Sequence, residues 1–201
     1  MTAIERIREE RVVGLLRAVP DARRVADALV AGGIRVLEVT LDSEGADTLI
    51  GDLRRRGDAA VLAGTVRTAG GVDRALAAGA EACVSPAFSA EVVARCVEVG
   101  LPSIPGALTP TEIEHALGTG AALIKLFPAG VVGPTYVRDV LAPLRGAPLL
   151  ATGGIDVTNA AAFLRAGAVA VAAGTALTGA EDPEAAALAL VAAVRSAGTL
   201  A

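Results

Sequence analysis

The chain has 201 residues and a formal net charge of −4, and 53% of its residues are hydrophobic. That length suits one domain with a sizeable core, the hydrophobic content excludes a disordered chain, and charges of both signs scattered along the sequence leave no nucleic-acid footprint. Aromatic residues are only 2%, so the core has to be assembled from Ala, Val, Leu and Ile.

The N-terminal stretch MTAIERIREE is charged and has no apolar segment, so it does not read as a signal peptide. Residues 2–10 instead predict a short amphipathic helix. No later apolar run approaches the roughly 18 residues of a membrane span, and a cytoplasmic protein is expected. Strands are predicted, in chain order, at VVGLLRA, RVLEVTL, AVLAGTV, ACVSP, PSIPG, LIKLFP, PLLATGG and AVAVAAG. They are apolar without clean alternation, as parallel strands covered on both faces should be.

Helical patterns fill the intervals. DARRVADALVAG puts Ala22, Val25, Ala26 and Leu29 on one face. Thr109, Pro110 and Glu112 form a capping-box start for PTEIEHALG, and Asp182-Pro183 opens a further helix in the same way. The patterns close on Gly33, Gly57, Gly79, Gly100, Gly120, Gly146, Gly167 and Gly198, where glycine is the natural left-handed cap. Arg54, Arg55 and Arg56 sit at one such helix end, where cations favour the dipole.

Eight strand–helix units predict a (β/α)8 TIM barrel, one domain over residues 1–201, with an open doubly wound sheet as the alternative. Cys83 and Cys96 form no CxxC pair and read as buried thiols in a reducing compartment. His115 is the single histidine and reads as a surface residue. The ligand count leaves no zinc site of the usual kind.

In a barrel the reactive groups gather at the C-terminal strand ends. Those ends carry Arg17, then Glu38, Thr40 and Asp42, then Gly64-Thr65, Ser85-Pro86 and Pro105-Gly106. Lys125, Phe127 and Pro128 follow, then Thr152-Gly153-Gly154 and finally Gly174-Thr175. Lys125 lies inside the apolar run GAALIKLFPAG, where lysine is unusual. Alternation puts it on one face with Leu123 and Phe127, and puts Glu38 on one face with Val36 and Thr40. If both faces point inward, the lysine and the glutamate meet across the barrel. Burial penalises the charged amine, and a neutral amine attacks a ketone to form a Schiff base. A neighbouring carboxylate then moves the protons. The competing reading is an ion pair that merely fills the barrel. The glycines of ATGGID and AAGTAL offer backbone N–H groups to a phosphate, or make ordinary tight turns. No Walker or GxGxxG pattern points to a nucleotide.

The ordered set LEVTL, AGTV, SP, KLFPA and TGGI resembles the 2-keto-3-deoxy-6-phosphogluconate (KDPG) and 4-hydroxy-2-oxoglutarate (KHG) aldolase family over nearly the whole chain. The resemblance implies a (β/α)8 barrel, a homotrimer, and metal-free, cofactor-free class I cleavage of a phosphorylated 2-keto-3-deoxy acid to pyruvate and glyceraldehyde 3-phosphate. It implies Lys125 as the Schiff-base lysine and Glu38 as the general acid/base. It also implies Thr65 at the pyruvyl carboxylate, Pro86 and Phe127 as pocket walls, and Gly153, Gly154, Gly174 and Thr175 around the phosphate.

Two positions depart from the pattern. Asp42 stands where the phosphogluconate branch has a carboxylate-binding arginine, and an aspartate there repels a carboxylate. Arg17, in GLLRAVP, resembles the ILRG stretch of the 2-dehydro-3-deoxy-6-phosphogalactonate branch and is expected to take over carboxylate binding. Gly130 replaces the acid of the family's FPAE. Alternative functions are a phosphogalactonate or 4-hydroxy-2-oxoglutarate aldolase, another enzyme on a phosphate-binding barrel, or a non-catalytic keto-acid-binding paralogue.

Overall fold

The computed structural model describes residues 1–198. A short helix, α1 (Ala3–Glu10), precedes the first strand, as the sequence predicts. Then follow β1 (Val12–Leu16), α2 (Ala22–Ala31), β2 (Val36–Thr40), α3 (Ala46–Arg56) and β3 (Ala60–Gly64). Next come α4 (Ala69–Ala78), β4 (Cys83–Val84), α5 (Ala90–Glu98), β5 (Ser103–Ile104), β6 (Gly106–Ala107) and α6 (Pro110–Gly118). The last part comprises β7 (Ile124–Leu126), α7 (Ala129–Leu141), β8 (Leu149–Thr152), α8 (Ala160–Arg165), β9 (Ala170–Ala173), α9 (Thr175–Thr178) and α10 (Pro183–Ser196).

All pairings are parallel, in the order β5-β4-β3-β2-β1-β9-β8-β7-β6. The two outer members, β5 and β6, are separated in the chain by Pro105 alone. The expected fifth strand, PSIPG, is therefore one strand broken in the middle, because proline has no N–H to give the ladder. Its carbonyl still accepts the Lys125 N–H at 2.9 Å. The sheet closes through this proline into the (β/α)8 barrel, and the open-sheet alternative falls.

The glycine rhythm marks the joints correctly. All eight predicted closing glycines have φ between 70° and 110°. Both halves of the Thr109–Glu112 capping box are made, and Asp182 caps α10. The Arg54–Arg56 run ends α3, and each of its guanidiniums is paired, Arg54 with Glu81, Arg55 with Asp52, Arg56 with Asp27 and Asp58. Cys83 and Cys96 are buried and unoxidised, and the exposed His115 stacks on Phe88. None of the described helices is long and apolar enough to cross a membrane. Residues 199–201 of the predicted domain lie outside the described residues.

Two apolar layers organise the molecule. The larger lies between strands and helices. The smaller fills the barrel with Val13, Val36, Leu62, Val84, Ile104, Leu123, Leu150 and Ala172, spread around the sheet. Ala3 and Ile7 of α1 belong to this inner layer, so α1 stops the N-terminal end of the barrel. With Val36 and Leu123 inside, alternation turns Glu38 and Lys125 inside as well.

Candidate active site

Glu38 and Lys125 meet in the barrel one layer above this apolar floor. Lys125 Nζ lies 3.3 Å from Glu38 Oε1, with the glutamate fully buried and the lysine 3% exposed. Glu38 Oε2 has no hydrogen-bond partner among the described residues, which leaves it free to accept a proton. Lys125 is also the only lysine in the chain, a sign that the run of eighteen basic residues conceals, since the other seventeen are arginine.

Room for the glutamate comes from β3. A Cβ on Gly64 would stand 2.4 Å from Glu38 Oε1, so any larger residue there displaces the carboxylate. Lys125 in turn sits under the Phe127 ring, 5.6 Å from its centroid. Phe127 and Pro128 are joined by a cis peptide bond.

Above the pair opens a cavity of about 530 Å³ at the C-terminal strand ends. Its walls bring together Arg17, Pro86, Lys125, Phe127, Gly153, Gly154, Gly174 and Thr175, eight of the ten residues singled out in the sequence. The other two adjoin it without forming walls. Glu38 reaches it through Lys125. Thr65 reaches it through Arg17, whose Nη2 donates to the threonine hydroxyl at 2.9 Å.

Thr152 was missed. It lies in the cavity wall, buried, with its hydroxyl donating to the Leu150 carbonyl at 3.3 Å. The signal was available: Thr152 is two residues beyond an inward leucine, on the same face. Leu15 and Ala172 complete the wall near the lysine, and Ile155, Asp156 and Thr178 near the glycines.

The glycine end is built to hold its shape. Gly153 and Gly154 have φ of 89° and 71°, and Asn159 Nδ2 donates to the Gly154 carbonyl at 2.8 Å. Asp156, although acidic, is turned to its own loop. The Thr158 hydroxyl and then the Thr158 N–H hold its carboxyl below the usual aspartate range, at 2.6 and 2.8 Å. Gly130 is explained by the same loop. Its N–H donates to the Gly153 carbonyl at 2.8 Å, and a Cβ there would lie 2.9 Å from that oxygen. An acid at this position does not fit this loop.

Asp42 does not stand in the site as a bare negative charge. Its Oδ2 is 3.6 Å from Arg17 Nη1, so the acid that departs from the phosphogluconate pattern faces the arginine expected to bind the carboxylate.

The comparison with known proteins agrees with this geometry. The family model described as KDPG and KHG aldolase matches residues 3–194. The chain belongs to this aldolase family. It is 43% identical over 164 residues to the 2-dehydro-3-deoxy-phosphogluconate aldolase of Treponema pallidum, covering 81% of this chain and 78% of that one. A solved native KDPGal structure superposes with a TM-score of 0.86 at 30% identity, over 92% of this chain and 95% of the other. A KDPG aldolase from Legionella pneumophila, with pyruvate captured at low pH as a covalent carbinolamine, superposes with a TM-score of 0.82 at 26% identity, over 99% of each chain.

Proposed function

We propose that this aldolase-family chain is a class I, Schiff-base enzyme that cleaves a phosphorylated 2-keto-3-deoxy sugar acid to pyruvate and glyceraldehyde 3-phosphate. The observation that carries the reading is the buried Lys125–Glu38 contact at 3.3 Å beneath a cavity open at the strand ends. An ion pair that only filled the barrel would need no cavity above it, and isolated buried pairs add little stability. The carbinolamine of the Legionella relative supports the same chemistry.

Lys125 Nζ attacks the C2 ketone, and the carbinolamine loses water to give an iminium. The C4 hydroxyl gives its proton to Glu38 as the C3–C4 bond breaks. The bonding pair flows into the iminium and leaves an enamine, while C4 departs as the aldehyde. Glu38 returns the proton to C3, and water then releases pyruvate and the free amine. The carboxylate stabilises the iminium charge at a site where water is scarce.

Arg17 holds the substrate carboxylate, with Thr65 fixing the guanidinium; Pro86 and Phe127 form the walls. The phosphate sits against Gly153, Gly154, Gly174 and Thr175. The resemblance of GLLRAVP, around Arg17, to the phosphogalactonate branch supports the galactonate epimer as a second reading; both epimers give the same two products. On the family resemblance we infer a homotrimer, which light scattering on the purified protein tests. The unpaired Cys83 and Cys96 support a reducing, cytoplasmic setting.

Incubation with pyruvate and borohydride, followed by intact mass measurement, tests the reading. One reduced pyruvate is expected on Lys125, together with release of pyruvate from 2-keto-3-deoxy-6-phosphogluconate or its galactonate epimer. An unmodified Lys125 rejects the mechanism, and an adduct without cleavage of either acid leaves only keto-acid binding.

A further inference from the structure

The loop from β1 to α2 carries Arg17 in a strained setting. Ala18 and Asp21, both in this loop, have φ of 46° and 49°, and Thr65, which receives the guanidinium, has φ of 57°. Residues with a Cβ disfavour this left-handed region, β-branched ones most of all. Such a conformation persists only where the surroundings fix it.

At Ala18 the loop after β2 does the fixing. Ser43 Oγ accepts the Ala18 N–H at 2.8 Å. The same oxygen lies 2.9 Å from Thr40 Oγ1, and the Ser43 N–H donates to the Thr40 carbonyl at 3.0 Å. Thr40 is fully buried, two residues past Glu38 on the same strand face. One serine oxygen therefore ties the residue after Arg17 to the strand that carries the glutamate. Beside it, Asp42 faces the Arg17 guanidinium.

We propose that Asp42 and Ser43 form a two-point clasp that positions Arg17 for the substrate carboxylate. Ser43 fixes the backbone and Asp42 aims the side chain. Ser43 is the stronger half, because its contact is a short hydrogen bond to a backbone N–H. Asp42 and Arg17 are 48% and 49% exposed, and an ion pair so exposed contributes little. Ser43 is a positioning residue: its hydroxyl reaches Ala18 and Thr40 and acts on substrate through Arg17. The clasp rests on the reading of Arg17 given under Proposed function.

Borohydride trapping separates the two ideas when run with pyruvate and with methyl pyruvate, which keeps the ketone and loses the charge. In Ser43→Ala, the half-saturating pyruvate concentration is expected to rise about fivefold, the scale of one lost hydrogen bond. Methyl pyruvate and the maximal yield of adduct should be unchanged, Ser43→Thr should restore the parent value, and Asp42→Asn should shift pyruvate about twofold. Equal weakening of both ketones in Ser43→Ala, no change with either, or no rescue by threonine overturns the clasp. Arg17→Ala is the control. If it leaves pyruvate unchanged, the carboxylate assignment falls and the clasp with it. If it weakens pyruvate while Ser43→Ala does not, the clasp alone falls.

Discussion

The two ends of the barrel are made from the same strands and the same inward faces, yet they do opposite work. At the N-terminal end Val36 and Leu123 pack with Ala3 and Ile7 of α1 in an apolar plug. Two residues further along the same faces stand Glu38 and Lys125, and further on Phe127 and the cavity. One step of the strand repeat, about 7 Å, separates a sealed floor from a reactive chamber. The floor supplies stability and keeps water away from the amine; the chamber spends some of that stability on buried charge.

This contrast can be broken at four depths. Glu38→Gln has the largest expected effect, a fall in kcat of about 10²–10⁴-fold, the usual worth of a general acid/base. Its pyruvate adduct on Lys125 should still form, and steady-state kinetics beside trapping read both. Gly64→Ala comes next. The new Cβ pushes the Glu38 carboxylate out of register with Lys125, and a displacement of that size costs about 10²-fold in turnover. A crystal structure of the variant should show the carboxylate moved.

Ile7→Ala acts at the floor. It should cost about 3 kcal/mol of stability, read as a lowered denaturation midpoint, with the KM for substrate unchanged in the folded enzyme. A changed KM would mean that the two ends are not separable. The smallest effect belongs to the outer ring. The Thr109 N–H, followed by the Leu108 N–H and the Thr109 hydroxyl, holds the Glu112 carboxyl below the usual glutamate range. Because the folded pKa is depressed, this contribution is full above the unfolded value and is lost as pH falls through the folded one. Glu112→Gln should therefore melt about 2 °C lower than the parent at pH 7. The two curves should begin to approach each other below about pH 4, where the unfolded glutamate takes up its proton, and meet below the folded value.

How much of this was written in the sequence depends on the range of the interaction. The closing glycines, the capping box at Thr109 and the Asp182-Pro183 start are local signals, and each lies where its own neighbours dictate. The meeting of Glu38 and Lys125 was legible as a condition, because the period of two sorts residues onto two faces, and the structure shows that theirs is the inward one. The break at Pro105 was overlooked as a break, since an apolar PSIPG reads as continuous until the missing N–H is counted. What stayed hidden needed distances across the chain. Gly64 looks like an ordinary strand end until the glutamate beside it is in place. Asp42 read as a repulsive charge because sequence places the acid and Arg17 at separate strand ends and cannot show that they face each other. Ser43, one residue on, gave no signal at all.

The α1 plug also governs traffic. With the floor closed by α1, the chamber opens at the C-terminal strand ends, where Phe127 stands in its wall. In the proposed chemistry pyruvate stays bonded to Lys125 until the enamine is hydrolysed, so the aldehyde goes first. In the condensing direction the keto acid has to arrive before its partner. In the proposed Schiff-base chemistry the covalent bond sets this order, and α1 adds only that traffic uses the open end of the barrel.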